Sequence, residues 1–120
     1  MQFMTLAKKK YRYICIYLVK NCDDKDGPIF SDFTRDFYKR FMGLYGSINF
    51  HKSNIRIVNV VAIPTQFVII KCKLEFTDSI LLSLYFANYP HLILPVSGTI
   101  KKLKKRVQDF LIYKDFLMDS

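Results

Sequence analysis

The chain has 120 residues, of which 51% are hydrophobic and 24% charged, a balance typical of a folded domain and not of a disordered segment. Lysine and arginine total 19 against 10 aspartate and glutamate residues, and the net charge of +9 favours a polyanionic partner, nucleic acid before an acidic membrane surface. No apolar run is long enough to cross a bilayer, and the first residues lack the pattern of a secretory signal. We therefore expect a single domain over residues 1–120, with a basic N-terminal tail at 1–10 and no membrane partner.

The first half of the chain predicts a strand, a helix and a hairpin. A nearly continuous apolar run, rich in β-branched and aromatic residues, predicts a central strand over residues 11–20. A helix is predicted from Ser31 or Asp32, which can cap it, to Gly46, which fits a left-handed terminal position. Strands over residues 54–63 and 66–74 follow, joined at Pro64 and Thr65 as an antiparallel hairpin. The helix carries apolar residues at spacings of three and four, its predicted buried stripe: Phe30, Phe33, Phe37, Phe41 and Leu44.

The second half predicts a helix over residues 78–88, a short strand over 92–96 and a basic C-terminal helix over 99–118. The order β-α-β-β-α-β-α predicts an α+β fold: an RRM-like, ferredoxin-like βαββαβ sandwich with an added C-terminal helix. Right-handed crossovers would place the first two helices on one face of a four-stranded sheet. The apolar stripes of the second and third helices are Ile80, Leu81, Leu84 and Ala87, and Ile100, Leu103, Val107, Phe110 and Leu111.

The sequence carries little that predicts catalysis. Its three cysteines have no paired spacing, so free thiols are expected, and its two histidines are expected at the surface or in loops and not as metal ligands. Glu75 is the only glutamate, and no glycine-rich phosphate loop or nucleophile elbow is present. We expect no catalytic residue, no metal and no cofactor in this chain. The cysteines and histidines are Cys15, Cys22, Cys72, His51 and His91.

Positive charge is concentrated in two blocks that contain no acidic residue, one in residues 1–20 and one in residues 97–107. Two such blocks indicate a directed electrostatic surface, whereas dispersed charge would indicate little beyond solubility. The residues in the first block are Lys8, Lys9, Lys10, Arg12 and Lys20, and those in the second are Lys101, Lys102, Lys104, Lys105 and Arg106.

The second block begins with Ser97, Gly98 and Thr99, which predict a strand end, a hinge and a hydroxyl cap before a basic helix. The first amide groups of such a helix lack internal partners and point toward any anion, and Gly98 would let a phosphate approach closely. The simpler interpretation is a capped amphipathic helix with a solvated face. We expect contact with RNA or DNA through Lys8, Lys9, Lys10, Arg12, Ser97, Gly98, Thr99, Lys101, Lys102, Lys104, Lys105 and Arg106.

The stretch VSGTIKKLKKR resembles the Ser-Gly-Thr-Ile-Lys/Arg motif of the smallest conserved α/β subunit of archaeal and eukaryotic ribonuclease P, which eukaryotes share with ribonuclease MRP. KKKYRYICIYLV, LYGSINF and FVIIKCKLEF resemble three further stretches of that family in the same order. The resemblance extends over roughly residues 8–108, although the stretch between the second helix and Ser97 is short for the family.

The resemblance implies an RRM-like accessory subunit that binds and stabilises the ribonuclease P or MRP RNA. In this family the RNA or the ribonucleoprotein particle uses Mg²⁺ to remove the 5′ leader from precursor tRNA, so the chain itself is non-catalytic. The implied partners are that RNA, precursor tRNA and the TIM-barrel protein subunit of the particle. The implied location is the nucleus, in particular the nucleolus, for a eukaryotic protein, and the cytoplasm for an archaeal one.

Alternatives from other classes remain open. A stand-alone RRM-like RNA-binding protein would stack bases on exposed strand aromatics, and Tyr11, Tyr13 and Tyr17 alternate along the first strand as such residues would. We expect these rings, with Tyr38 and Tyr45, to contact a protein partner instead. A ferredoxin-like enzyme such as an acylphosphatase would need an arginine loop and an asparagine pair that the sequence does not show. Binding of the last helix to a membrane surface ranks third.

Overall fold

The computed structural model describes residues 10–19, 28–60, 63–64, 66–87 and 91–119. It is a mixed α+β structure with a four-stranded antiparallel sheet in the order β2-β3-β1-β4, which confirms the predicted class. The edge strands β2 and β4 are shorter than predicted, and a 3₁₀ turn, Leu74–Phe76, links β3 to α2. The elements in chain order are β1 (Tyr11–Leu18), α1 (Pro28–Ser53), β2 (Arg56–Val58), β3 (Phe67–Lys73), α2 (Thr77–Tyr85), β4 (His91–Ile93) and α3 (Ile100–Asp119).

Strand β1 lies in the middle of the sheet, paired with β3 on one side and β4 on the other. Its residues Ile14, Cys15 and Ile16 are fully buried, although successive side chains of a strand point to opposite faces. Residues 14–18 of β1 are therefore covered on both faces, as the continuous apolar run predicts.

Helices α1 and α2 cover the face of the sheet to which Ile14 and Ile16 point. The predicted stripe of α1 is confirmed at Phe33, Phe37 and Phe41, which are buried. It is wrong at Leu44, which is 50% exposed. The buried residues recur at steps of four, so Tyr45 continues the stripe and packs against this core. On α2 the buried apolar positions are Ile80 and Leu84. Leu81 on this helix and Ala87 just after its end pack beside them. The side chain of Phe30 is not among those that the structure describes.

Gly46 divides α1 into two helical segments. Its backbone has φ 85° and ψ 164°, a non-helical conformation that side chains disfavour, so the first segment ends there, as the sequence predicts, and the second continues to Ser53. The second segment ends at Asn54, the one non-glycine residue with positive φ (52°) among those described. Asparagine tolerates this left-handed conformation. The sequence pattern does not predict this second segment.

Helix α3 covers part of the opposite face of the sheet. Leu103 and Val107 are buried there with Cys15, Tyr17 and Ile69. The predicted stripe is correct from Leu103 onward, with Phe110 and Leu111 packed at its border. It is wrong at Ile100, the first residue of the helix, which is 42% exposed. Within the described ranges, no helix is long and apolar enough to span a bilayer.

We predict that replacing Leu103 by alanine lowers the free energy of unfolding by about 2–4 kcal/mol, since it removes a fully buried side chain between α3 and the sheet. Ile112→Ala is the matched control on the same helix, because Ile112 is 69% exposed, and it should change stability by less than about 0.5 kcal/mol. Urea denaturation measures both. Equal effects of the two changes would contradict this packing of α3.

The cysteines give a second prediction. Cys15 and Cys72 are free and fully buried. Burial raises the pKa of Cys15 to about 12 and that of Cys72 to about 11. At Cys72 a hydrogen bond from Thr77 and the charge of Arg12 lower the pKa and so limit the rise. At about pH 8 iodoacetamide should alkylate neither thiol in the folded chain and both in urea, as peptide mass spectrometry would show. Cys22 lies outside the described residues.

The same shifts fix the sign of a pH effect. The folded state keeps protons that the unfolded thiols lose near their ordinary pKa of 9.0. This contribution to stability is therefore complete below pH 9 and is lost as the pH rises through about 11 to 12. Rapid alkylation of Cys15 in the folded chain would contradict the burial.

Candidate nucleic-acid interface

The residues before α3 are fixed to the central strand. Ser97 is buried and exchanges two backbone hydrogen bonds with Tyr13: the Tyr13 amide donates to the Ser97 carbonyl at 2.7 Å, and the Ser97 amide donates to the Tyr13 carbonyl at 3.0 Å. Thr99 then caps the helix as predicted, since its Oγ1 accepts a hydrogen bond from the Lys102 amide at 3.2 Å. The start of α3 is thus held beside β1.

The basic residues of the second block fall into two groups. Arg106 is partly buried and turns back to the start of the helix, where its Nε donates to Ser97 Oγ at 3.0 Å. The remaining four point into solvent, and only Lys105 has an acidic neighbour among the described residues, Asp109 at 3.6 Å. Arg106 therefore has a structural partner, whereas its neighbours are available to an anion. These exposed residues are Lys101, Lys102, Lys104 and Lys105.

The first basic block meets the second at this point. A Cβ atom placed on Gly98 would lie 3.5 Å from Nη1 of Arg12, whose guanidinium also donates to the Tyr11 carbonyl at 2.9 Å. Lys10 is exposed just before β1, and its carbonyl accepts a hydrogen bond from the Leu74 amide at 2.8 Å. The fold therefore joins two blocks that are far apart in the sequence; Lys8, Lys9 and Lys20 lie outside the described residues.

The role predicted for Gly98 needs correction. Gly98 does not have a positive φ, so its backbone does not require glycine. An added Cβ would make only ordinary contact with the side chain of Arg12, which already occupies the space beside Gly98. An anion at this point would contact the guanidinium of Arg12. Arg12, and not Gly98, is therefore the residue expected to contribute most to anion binding here.

The sheet face that α3 covers only in part carries basic residues that the sequence analysis missed. Lys71 is paired directly with Tyr13 on β1 and with Arg56 on β2, and Lys73 is paired with Tyr11. Directly paired residues place their side chains on the same face. We call these five residues the tyrosine–lysine surface: Tyr11, Tyr13, Arg56, Lys71 and Lys73. The alternation of Lys71 and Lys73 along β3 was the available signal in the sequence.

The prediction that Tyr17 contacts a protein partner is wrong, because the ring is buried within the chain. Tyr17 is 6% exposed, its ring lies 5.0 Å from that of Phe110 and 5.2 Å from that of Phe67, and Lys114 Nζ lies 4.9 Å from its centroid. Helix α3 supplies this cover, which strand alternation cannot reveal. By contrast, Tyr11 and Tyr13 stay partly exposed.

Tyr38 and Tyr45 lie on α1, on the opposite side of the sheet, and both are half-buried. The Tyr38 ring packs edge-on against Phe50 at 5.5 Å. Burial raises the pKa of the Tyr38 hydroxyl, and a hydrogen bond with the Ile57 backbone lowers it by a smaller amount. The Tyr45 ring lies 4.9 Å from that of Phe41. These rings have partners within the chain, and they lie apart from the basic residues at the start of α3.

The two histidines lie on different elements, each beside an aromatic ring. His51 is exposed at the end of α1 with its ring 5.6 Å from Phe50, and His91 lies on β4 with its ring 5.6 Å from Phe33. Within the part of the chain that the structure describes, no three His, Cys, Asp or Glu residues are grouped as a metal site would need.

The sequence matches no model of a known protein family, and no curated protein is detectably similar to it. The strongest feature is the junction where the basic start of β1 meets the basic start of α3.

Proposed function

We propose that this chain is a non-catalytic, RNA-binding subunit of ribonuclease P or of the related ribonuclease MRP. The observation that carries the proposal is the junction of the two basic blocks, where Arg12 lies beside Gly98 and Tyr13 is hydrogen-bonded to Ser97. The Ser-Gly-Thr-Ile-Lys stretch on which the resemblance depends lies at this junction. Its residues combine a capped helix start, a buried anchor and exposed cations.

Electrostatics favours RNA over other partners of the junction. The exposed lysines of α3 have one acidic neighbour between them among the described residues, and residues 37–74 contain no aspartate or glutamate at all. Lysines in such surroundings bind a phosphate chain with the most favourable free energy, because each neutralised phosphate releases condensed counterions. A neutral or acidic protein domain would offer a less extended match to the same charges.

The arrangement of elements supports an RRM-like, ferredoxin-like plan for the sheet and its first two helices. The third helix distinguishes this chain from a domain that reads single strands over its whole sheet face. Since α3 covers Tyr17, Phe67 and Ile69, bases cannot reach that part of the sheet face. The stand-alone RRM-like protein is accordingly the second candidate, with the partly exposed Tyr11 and Tyr13 as the observation in its favour.

The remainder of the proposal follows the resemblance. The RNA of the particle would act with Mg²⁺ on precursor tRNA, and this chain would stabilise that RNA together with a TIM-barrel protein subunit. A eukaryotic particle would place the chain in the nucleus, an archaeal one in the cytoplasm.

We predict that Lys102→Ala weakens the binding of precursor tRNA and reduces the slope of log affinity against log salt by about 0.7 to 0.9, as expected for one lost phosphate contact. Lys39→Ala is the matched control, because Lys39 is exposed on α1, across the sheet from α3. It should leave affinity and slope unchanged. Fluorescence anisotropy across a salt series provides both quantities. Equal losses in the two variants would mean nonspecific attraction to net charge.

The particle itself can be tested in the cells that make this protein. Affinity purification of the tagged chain should enrich one structured RNA, and the isolated particle should cleave precursor tRNA with Mg²⁺. The chain purified alone should leave the same substrate intact. Enrichment of many unrelated messenger RNAs would favour the stand-alone RNA-binding protein, and cleavage by the chain alone would overturn the accessory role.

A further inference from the structure

We infer that the tyrosine–lysine surface stacks unpaired bases of single-stranded RNA on the rings of Tyr11 and Tyr13. This inference rests on the proposed function, since both require RNA binding. It adds a chemical preference, because a surface that uses ring stacking distinguishes exposed bases from a bare phosphate chain.

The surface exists because α3 covers only one end of the sheet face. Tyr17 and Cys15 are buried beneath α3, whereas Tyr13 lies at the border of that packing and Tyr11 lies beyond it. Tyr11 and Tyr13 are two residues apart on β1, so they share a face at a separation of about 7 Å along the strand. The partly exposed end thus presents two aromatic rings in sequence.

Cations flank the rings on the neighbouring strand. Lys71 Nζ lies 4.8 Å from the centroid of Tyr11 and 5.9 Å from that of Tyr13, within the range of cation–π attraction. The Tyr11 hydroxyl also accepts a hydrogen bond from Asn54 Nδ2 at 3.3 Å. These contacts hold the rings in position in the free chain. A base that stacks on one of these rings can displace the ammonium group of Lys71, which can then contact the phosphate of the same nucleotide.

Charge identifies the occupant as a polyanion with aromatic groups. Lys71, Lys73 and Arg56 stand around the rings, and β1, β2 and β3 contain no acidic residue. A protein partner docked here would have to desolvate these cations against apolar side chains, which costs free energy unless acids pair with them. Single-stranded RNA supplies phosphates for the cations and bases for the rings in one ligand.

The same strand leads to the basic junction. Tyr13 is hydrogen-bonded to Ser97, the residue that anchors the start of α3. Arg12 alternates with the two tyrosines and points to the opposite face, where its strand partner Cys72 is buried. An RNA chain that stacks on Tyr13 would therefore lie beside the anchored start of α3 without passing over Arg12.

The experiment compares fluorescein-labelled decamers of oligouridylate and of an abasic oligonucleotide with the same number of phosphates. Tyr11→Leu and Tyr13→Leu should each weaken oligouridylate binding about 5- to 30-fold without changing its salt slope, whereas Tyr13→Phe should bind as the parent does. Binding of the abasic decamer should be equal in all four proteins. Tyr85→Leu is the matched control, since Tyr85 is 78% exposed on α2, across the sheet.

Melting curves establish that each variant is folded. Photo-crosslinking of a 4-thiouridine decamer to the unchanged chain, mapped by mass spectrometry, gives a second measurement that needs no substitution at a partly buried ring. Crosslinks on the peptide that contains Tyr11 and Tyr13 are expected. Crosslinks confined to α3, or folded leucine variants with parental affinity, would overturn the inference.

The failure of the inference is distinguishable from failure of the proposed function. If precursor tRNA binds with the expected dependence on Lys102 while oligouridylate and the abasic decamer bind alike, RNA binding stands and base stacking is wrong. If neither precursor tRNA nor oligouridylate binds the unchanged chain, both fall.

Discussion

The burial of β1 on both faces is the constraint on which the rest of the structure depends. Ile14 and Ile16 need cover on one face, and Cys15 and Tyr17 need it on the other. Helices α1 and α2 provide the first cover, and only α3 remains to provide the second. A single 20-residue helix crossing a sheet shields part of a face, so one end of that face stays accessible to solvent.

This division of one sheet face explains why the aromatic residues of β1 have different roles. Tyr17 belongs to the core because Phe110 and Phe67 pack around it, and Tyr11 and Tyr13 belong to the surface although the pattern of the strand treats all three alike. The Ser97–Tyr13 pairing lies at the boundary between the two regions. It fixes the start of α3 and thereby determines how much of the face the helix can cover.

Local patterns in the sequence predict most of the fold but little of the site. The spacing of apolar residues correctly predicts burial of Phe33, Phe37 and Phe41 on α1 and of Leu103 and Val107 on α3. Burial along a helix repeats with the helical period, and the apolar pattern shows that period. The same rule fails at Leu44, where an equally allowed step of three competes with a step of four.

The features that the sequence could not predict depend on contacts between distant segments. Gly46 ends the first segment of α1, but the second segment, in which Phe50 packs against the core, depends on tertiary contacts that the sequence pattern does not show. The proximity of Arg12 to Gly98, the bond from Arg106 to Ser97 and the register of Lys71 with Tyr13 all join elements that only the assembled sheet brings together.

The charge distribution connects this sheet to its proposed ligand through stability. Lys71, Lys73 and Arg56 stand on adjacent strands, and opposed like charges on neighbouring strands destabilise a sheet. Contact with the Tyr11 and Tyr13 rings offsets part of that repulsion, because the negative face of each ring attracts the ammonium of Lys71. A bound phosphate chain would remove more of it, and a ligand that binds only the folded state adds its binding free energy to stability. The cations that destabilise the sheet in the free chain are thus the same ones that would stabilise it when RNA is bound. This gives a physical reason for a small domain to keep a net charge of +9.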